Sequence, residues 1–333
     1  MTLSLTTKHI LNDPRLIAIR DAHFARLERV FDAADEPAFY LSGINGRSEI
    51  TIYDEPEHHL ITCLEDLAQI AEEAGDADVF RPLCFECDIY GVHYVDSIFG
   101  CHVYHKHGQW YNEHVDNAVG ALPAPDIDAS LAWQLTERVT RAFVAADVAL
   151  PIFGLPTIAS ALNIAVNLYG EDILTALLCD PEAAARDLQT INDVLMELHR
   201  RLMNLIPAAQ LQAVIPAGRV QPLGSGQICG CTTQLLSPAC YREMVAPLDD
   251  ALLGVYPRGG MIHLCGAHEQ HIATFHDMKN LRALQLNDRA AEGLAAYHVG
   301  LRPDQVIYLN PCEGMSAEQG MNLTQGRGLV LVS

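Results

Sequence analysis

The sequence predicts an α/β fold, a (β/α)8 barrel of the TIM type with an N-terminal helical extension. Three observations lead there. From residue 79 onward, short apolar runs alternate with stretches of helical periodicity, the texture of parallel strands joined by helical crossovers. A length of 333 residues is long for one ordinary domain but normal for a single barrel with extensions. The number of apolar runs also suits a closed sheet better than an open one. Linkers are short, so the chain reads as an extension over residues 1–78 packed on a barrel over residues 79–333, one structural domain overall.

The elements follow in order. Residues 15–34 and 60–74 space apolar positions at three and four, the second with Glu65 and Asp66 in its early turns, and read as helices. Between them, Ala38-Phe39-Tyr40-Leu41-Ser42-Gly43 and Glu49-Ile50-Thr51-Ile52-Tyr53 read as short strands. Residues 79–86 give the first barrel strand, and its loop continues through Tyr90-Gly91-Val92-His93. His102, His105 and His107 alternate with Val103, Tyr104 and Lys106 as on the polar face of a hairpin. A strand at 149–154, a helix at 161–168 and a long helix at 181–205 with proline in its first turn come next. Ala213-Val214-Ile215-Pro216 and residues 221–229 follow, and Ser237-Pro238 opens a helix at 241–253 with a cap and an early proline. Strands at 261–264, 281–286 and 306–309, helical segments at 268–277 and 289–299, and a last strand at 328–332 complete the pattern.

Composition bounds the function. Half the residues are hydrophobic, and the formal charge of −21 argues against nucleic acid or an anionic membrane as partner, since both demand a basic surface. Met1-Thr2-Leu3-Ser4-Leu5 leads straight into polar sequence with no apolar core or cleavage site, so a cytoplasmic protein is expected. Its ten cysteines then read as reduced thiols, metal ligands or core residues. Residues 148–170 carry no charge, but Pro151, Gly154, Pro156, Ser160, Asn163 and Asn167 suit a strand, a turn and a buried helix better than a membrane span.

The most informative stretch is Gly259-Gly260-Met261-Ile262-His263-Leu264-Cys265-Gly266. In a strand, side chains at i and i+2 share a face, so His263 and Cys265 project together at the strand's carboxyl end. They form half of a zinc site, which needs one more protein ligand and leaves a position for substrate; the alternative is a core histidine beside a buried free cysteine. In a parallel barrel, residues just past each strand converge on one mouth. That selects Glu86, Gln227, Cys229 and Asn287 as small-molecule substrate contacts, and loop position selects Asp88, His93 and Asp96 as groups that position substrate or shuttle protons. Cys84-Phe85-Glu86-Cys87 has no second pair at finger-like spacing. The chain contains no phosphate loop, dinucleotide glycine fingerprint or G-x-S-x-G elbow.

Four stretches carry a family likeness: Tyr90-Gly91-Val92-His93 through Phe99-Gly100, the run from Pro151 to Thr157 with its apolar helix, Leu236-Ser237-Pro238 through Val245-Ala246-Pro247, and Ile262-His263-Leu264-Cys265-Gly266. Together they resemble the uroporphyrinogen decarboxylase superfamily, closest in motif to the zinc-dependent methyltransferases that exchange methyl groups between corrinoid proteins and thiols such as coenzyme M. The resemblance implies zinc held by His263, Cys265 and a later cysteine, for which Cys312 is the downstream candidate; Cys229 or Cys231 are the other available thiols. It also implies a corrinoid carried by a partner protein. The Arg-Gln-Ala-Gly-Arg segment typical of uroporphyrinogen decarboxylases is absent, with Gly46-Arg47-Ser48 offering one arginine. The expectation is therefore a zinc-dependent methyltransferase or demethylase; a metal-free decarboxylase-like lyase and a non-catalytic corrinoid- or tetrapyrrole-binding protein are the alternatives.

Overall fold

The chain is described by a computed structural model over residues 2–32, 37–213 and 217–333. Its strands are β1 (Phe39–Leu41), β2 (Ile44–Asn45), β3 (Leu83–Glu86), β4 (Val103–Lys106), β5 (Gln109–Asn112), β6 (Ile152–Gly154), β7 (Leu211–Gln212), β8 (Gly226–Cys229), β9 (Gly260–Cys265), β10 (Leu281–Asn287), β11 (Val306–Leu309) and β12 (Leu329–Val332). A six-stranded sheet has the order β1-β12-β11-β10-β9-β8 and a four-stranded sheet the order β2-β3-β6-β7; every pair in both is parallel. β4 and β5 form an antiparallel hairpin, as the alternating histidines predict. Isolated parallel bridges join the edge strands of the six-stranded sheet, β1 through Leu41 and β8 through Cys229, to Phe80 ahead of β3 and to Ala159 beyond β6.

β3 and β6 to β12 are buried on both faces, which explains why they read as near-continuous apolar runs. Their side chains divide by the two-residue repeat. Ile262, Leu264, Leu284, Leu286, Ile307, Leu309, Leu329 and Leu331 pack in the large cluster shared with the helices. Met261, Ala283, Val306, Tyr308, Val330 and Val332 face the other way and meet Phe39, Leu41, Cys84 and Ile152 in a second cluster. Residues of both sheets thus share one inner face. The helix Pro14–Asp32 contributes Phe24, Leu27, Val30 and Phe31 to that cluster, with Phe31 meeting Tyr308 edge-on at 6.2 Å.

Several elements differ from the sequence expectation. Residues 49–53 form no strand. Ser48 Oγ accepts from Ile50 N and donates to Ile50 O, and Thr51 Oγ1 accepts from Asp54 N while donating to Asp54, so side chains satisfy the backbone groups that a ladder would use. The helix expected at 241–253 opens as a wide π turn, Tyr241–Val245, before the α-helix Ala246–Leu253. Pro247 lacks an N–H for the regular ladder, and Ala246 N reaches back five residues to Tyr241 O. The helix Leu131–Ala146 adds an element to those expected from the sequence. Of the run Ala213-Val214-Ile215-Pro216, the last three residues lie outside the described residues.

No single helix among the described residues is long and apolar enough to cross a membrane; the uncharged stretch forms β6 and the buried helix Ala161–Tyr169. Asp187, on the helix Pro181–Leu205, accepts from Gly120 N (2.6 Å), Leu122 N (3.1 Å) and Tyr169 Oη (2.6 Å), anchoring the chain that follows the hairpin. Asp187→Ala leaves buried donors unpaired and is expected to lower unfolding stability in urea by about 3 kcal/mol, with Asp187→Asn costing roughly half as much. Equal stability of all three proteins would show that the anchor is not made.

Candidate metal centre

The site is built on the carboxyl ends of β8 and β9. His263 and Met261 share a face, as do Cys265 and His263, so the strand carries both donors to the inner side. Parallel register sets Cys229 beside His263 on one side and Gln285 beside His263 on the other. Gly266, with φ +98°, ends the strand; a Cβ there would stand 2.3 Å from Gln234 Oε1.

The third donor arrives on the loop after β8. Gly230 N donates to His263 O at 2.9 Å, drawing this loop against β9. A Cβ at Gly230 would lie 2.7 Å from Ile262 Cγ2, so the approach needs glycine. Cys231 follows at once, opening the 3-10 helix Cys231–Leu235. Thr232 N donates to Asn163 Oδ1 at 3.2 Å. Thr233 Oγ1 donates to Gly230 O at 2.8 Å and lies 3.0 Å from His268 Nδ1; His268 Nε2 in turn donates to Cys265 O at 3.2 Å. His271 Nε2 donates to Thr233 O at 2.9 Å. Two buried histidines therefore bracket the loops that carry Cys231 and Cys265.

The result is a group of three, Cys231, His263 and Cys265, whose ligand atoms lie within 4.8 Å of one another. They line a cavity of about 500 Å³ together with Asp88, Gly91, Val92, Thr157, Ala159, Asn163, Asn167, Arg219 and Cys229. The hydrogen bond from the Cys231 thiol holds the Cys265 thiol well below the ordinary thiol range against the opposing effect of burial. The same hydrogen bond, followed by burial, raises the Cys231 thiol.

The other expected residues separate into groups. Cys312, the downstream candidate for third ligand, is not in the cluster; its Sγ turns to Asp288 O at 3.6 Å, and Cys231 stands beside His263 and Cys265 instead. Cys229 lines the cavity, and burial raises its thiol. Asp88 also lines it: its side chain reaches solvent, yet the recess desolvates the carboxylate enough to raise its pKa. Asp96 is fully buried, and burial raises its pKa while His93 opposes the rise. His93 Nδ1 donates to Asp96 Oδ2 at 2.6 Å, and Asn167, a cavity residue, donates to the same oxygen at 2.9 Å. Glu86 ends β3 opposite Gly154, and neither Glu86 nor the buried Gln227 lines the cavity. Asn287 lines a neighbouring recess of about 250 Å³ with Gln285, Asn310 and Arg219, and donates to Asp288 Oδ2 at 3.0 Å. Cys84 and Cys87 are fully buried, which raises both thiols and marks them as core residues.

No protein-family model matches the sequence, and no curated protein matches it. Among solved structures the chain is similar to a methyltransferase from Methanosarcina mazei, with a TM-score of 0.65 over 93% of this chain and 91% of that chain at 9% identity. The two share a fold.

In chelator-treated protein, Cys265 is expected to react with iodoacetamide faster than Cys231 at pH 6.5, with a half-maximal rate below the usual thiol value near pH 8.5. Cys231→Ala removes the donated S–H, so the Cys265 profile should move to higher pH. Peptide mass spectrometry reads both rates; an unmoved profile would rule out the Cys231 contact as the cause.

Proposed function

We propose that this chain is a zinc-dependent methyltransferase or demethylase that moves a methyl group between a corrinoid protein and a thiol or other small acceptor. The observation that carries the reading is the Cys231, His263 and Cys265 group at an open cavity. Two thiols and one imidazole are a donor set suited to a borderline-soft ion, and three protein ligands leave a position for substrate, as catalytic zinc sites do. The fold shared with a methyltransferase and the resemblance of the His263-Leu264-Cys265-Gly266 strand support the same conclusion. Closure into a (β/α)8 barrel belongs to this reading too, supported by the inner cluster to which both sheets contribute.

When bound, zinc supplies a Lewis acid that keeps a thiol acceptor deprotonated near neutral pH. The chain's own residues do the rest. Cys265 is held toward its thiolate before any ligand arrives. Asn163 and Asn167 present amides to a small acceptor in a cavity of about 500 Å³. Asp88, at the rim with its raised pKa, takes the proton that an entering thiol gives up. Asp96 fixes the orientation of His93 through Nδ1 and that of Asn167 through its amide.

Protein purified without chelator is expected to carry about one equivalent of zinc by elemental analysis, and Cys231→Ala and Cys265→Ser to lose most of it. Cys312→Ala should retain nearly the wild-type content. Free methylcobalamin with a small thiol is expected to be demethylated by the zinc-loaded protein and not by Cys265→Ser, followed by the corrinoid absorbance. Less than a tenth of an equivalent of zinc in the wild type would overturn the reading in favour of a metal-free lyase.

A further inference from the structure

An imidazole binds a metal through one nitrogen, and the hydrogen bond at the other decides which nitrogen that is. His263 is buried and flanked in register by Gln285 on β10. Gln285 is itself buried, on a strand whose neighbouring residues Leu284 and Leu286 are apolar and face the helices. Its amide touches two groups: Oε1 accepts from His263 Nδ1, and Nε2 donates to Asn310 Oδ1, just past the end of β11. The two contacts are not independent. While Asn310 presents an oxygen, Gln285 must turn its NH2 that way and its carbonyl toward the imidazole. Nδ1 then carries the proton, which leaves Nε2 as the nitrogen with a lone pair to offer the group that His263 forms with Cys231 and Cys265.

We propose that Gln285, oriented by Asn310, is a positioning residue that sets the tautomer of His263 and so makes Nε2 its ligand atom. The inference deepens the metal reading of the same three residues and rests on it. The recess beyond Gln285, lined by Asn45, Asn287 and Asn310 among others, is then the outer side of the metal centre. A reversed Gln285 amide would donate to Nδ1, leave the proton on Nε2 and disable the donor set, so the arrangement has a definite wrong state.

The test begins on metal-free protein labelled with ¹⁵N-histidine, with His263→Gln assigning the resonances. Long-range ¹H–¹⁵N correlation is expected to find His263 as the Nδ1–H tautomer in the wild type and in Gln285→Glu, which keeps an acceptor, and to find Nε2–H populated in Gln285→Leu. Titration with Co²⁺ alone, followed by thiolate-to-cobalt absorbance, is expected to give a Kd about 10- to 100-fold weaker for Gln285→Leu, with Gln285→Glu restoring affinity. Asn310→Ala, at a half-buried position, is expected to weaken Co²⁺ several-fold and carries the mutational test if Gln285→Leu fails to fold. An Nε2–H His263 in the wild type, or unchanged Co²⁺ affinity in both Gln285→Leu and Asn310→Ala, would overturn the proposal. Absence of Co²⁺ binding by a wild type that has the Nδ1–H tautomer would instead overturn the metal reading.

Discussion

Parallel pairing of β9 with β8 on one side and β10 on the other is the constraint on which the site depends. Register places Cys229, His263 and Gln285 in one row across three strands, with Cys265 and Asn287 one step further along. Because side chains alternate, the inward face of each strand meets only the inward faces of its neighbours, and a slip of one residue would exchange His263 and Gln285 for Ile262 and Leu284. The apolar packing that forbids the slip is also what aims the imidazole. Outward leucines and isoleucines lock against the helices, and Met261 and Ala283 lock against the inner cluster.

Around that row, loop chemistry completes the donor set. Gly230 permits contact with Ile262, and Thr233 with His268 and His271 ties the two loops together. The donors then come from adjacent strand ends, and the far wall of the cavity, with Asp88, Asn163 and Asn167, is left for a ligand. The environments of the thiols differ in direction. Burial raises the Cys63 thiol to about 12 and the Cys101 thiol to about 11, whereas Cys265 is lowered by its partners.

What the sequence disclosed was what depends on local periodicity. The pairing of His263 with Cys265 follows from a two-residue repeat inside one apolar run, and the alternation of strands and helices from 79 onward follows from the same kind of signal. Cys231 was legible only as one thiol among several, since its placement rests on a glycine's close approach and on histidines more than thirty residues away. Cys312 follows a strand end as a mouth ligand should, but a turn joining it to Met315 points its sulfur at Asp288 O. Gln285 had a faint signal, a single amide in Leu281-Arg282-Ala283-Leu284-Gln285-Leu286, whose meaning appears once β9 lies beside it. The false strand at 49–53 has a local cause, hydroxyls at Ser48 and Thr51 that cap turns within an apolar run.

The central claim is a metal held by two sulfurs and one imidazole. X-ray absorption at the zinc K-edge, on protein purified without chelator, tests it most directly. Two sulfur scatterers at about 2.3 Å, one imidazole nitrogen at about 2.0 Å and one further light atom are expected. A shell with three sulfurs, or one built of oxygen and nitrogen alone, would contradict it.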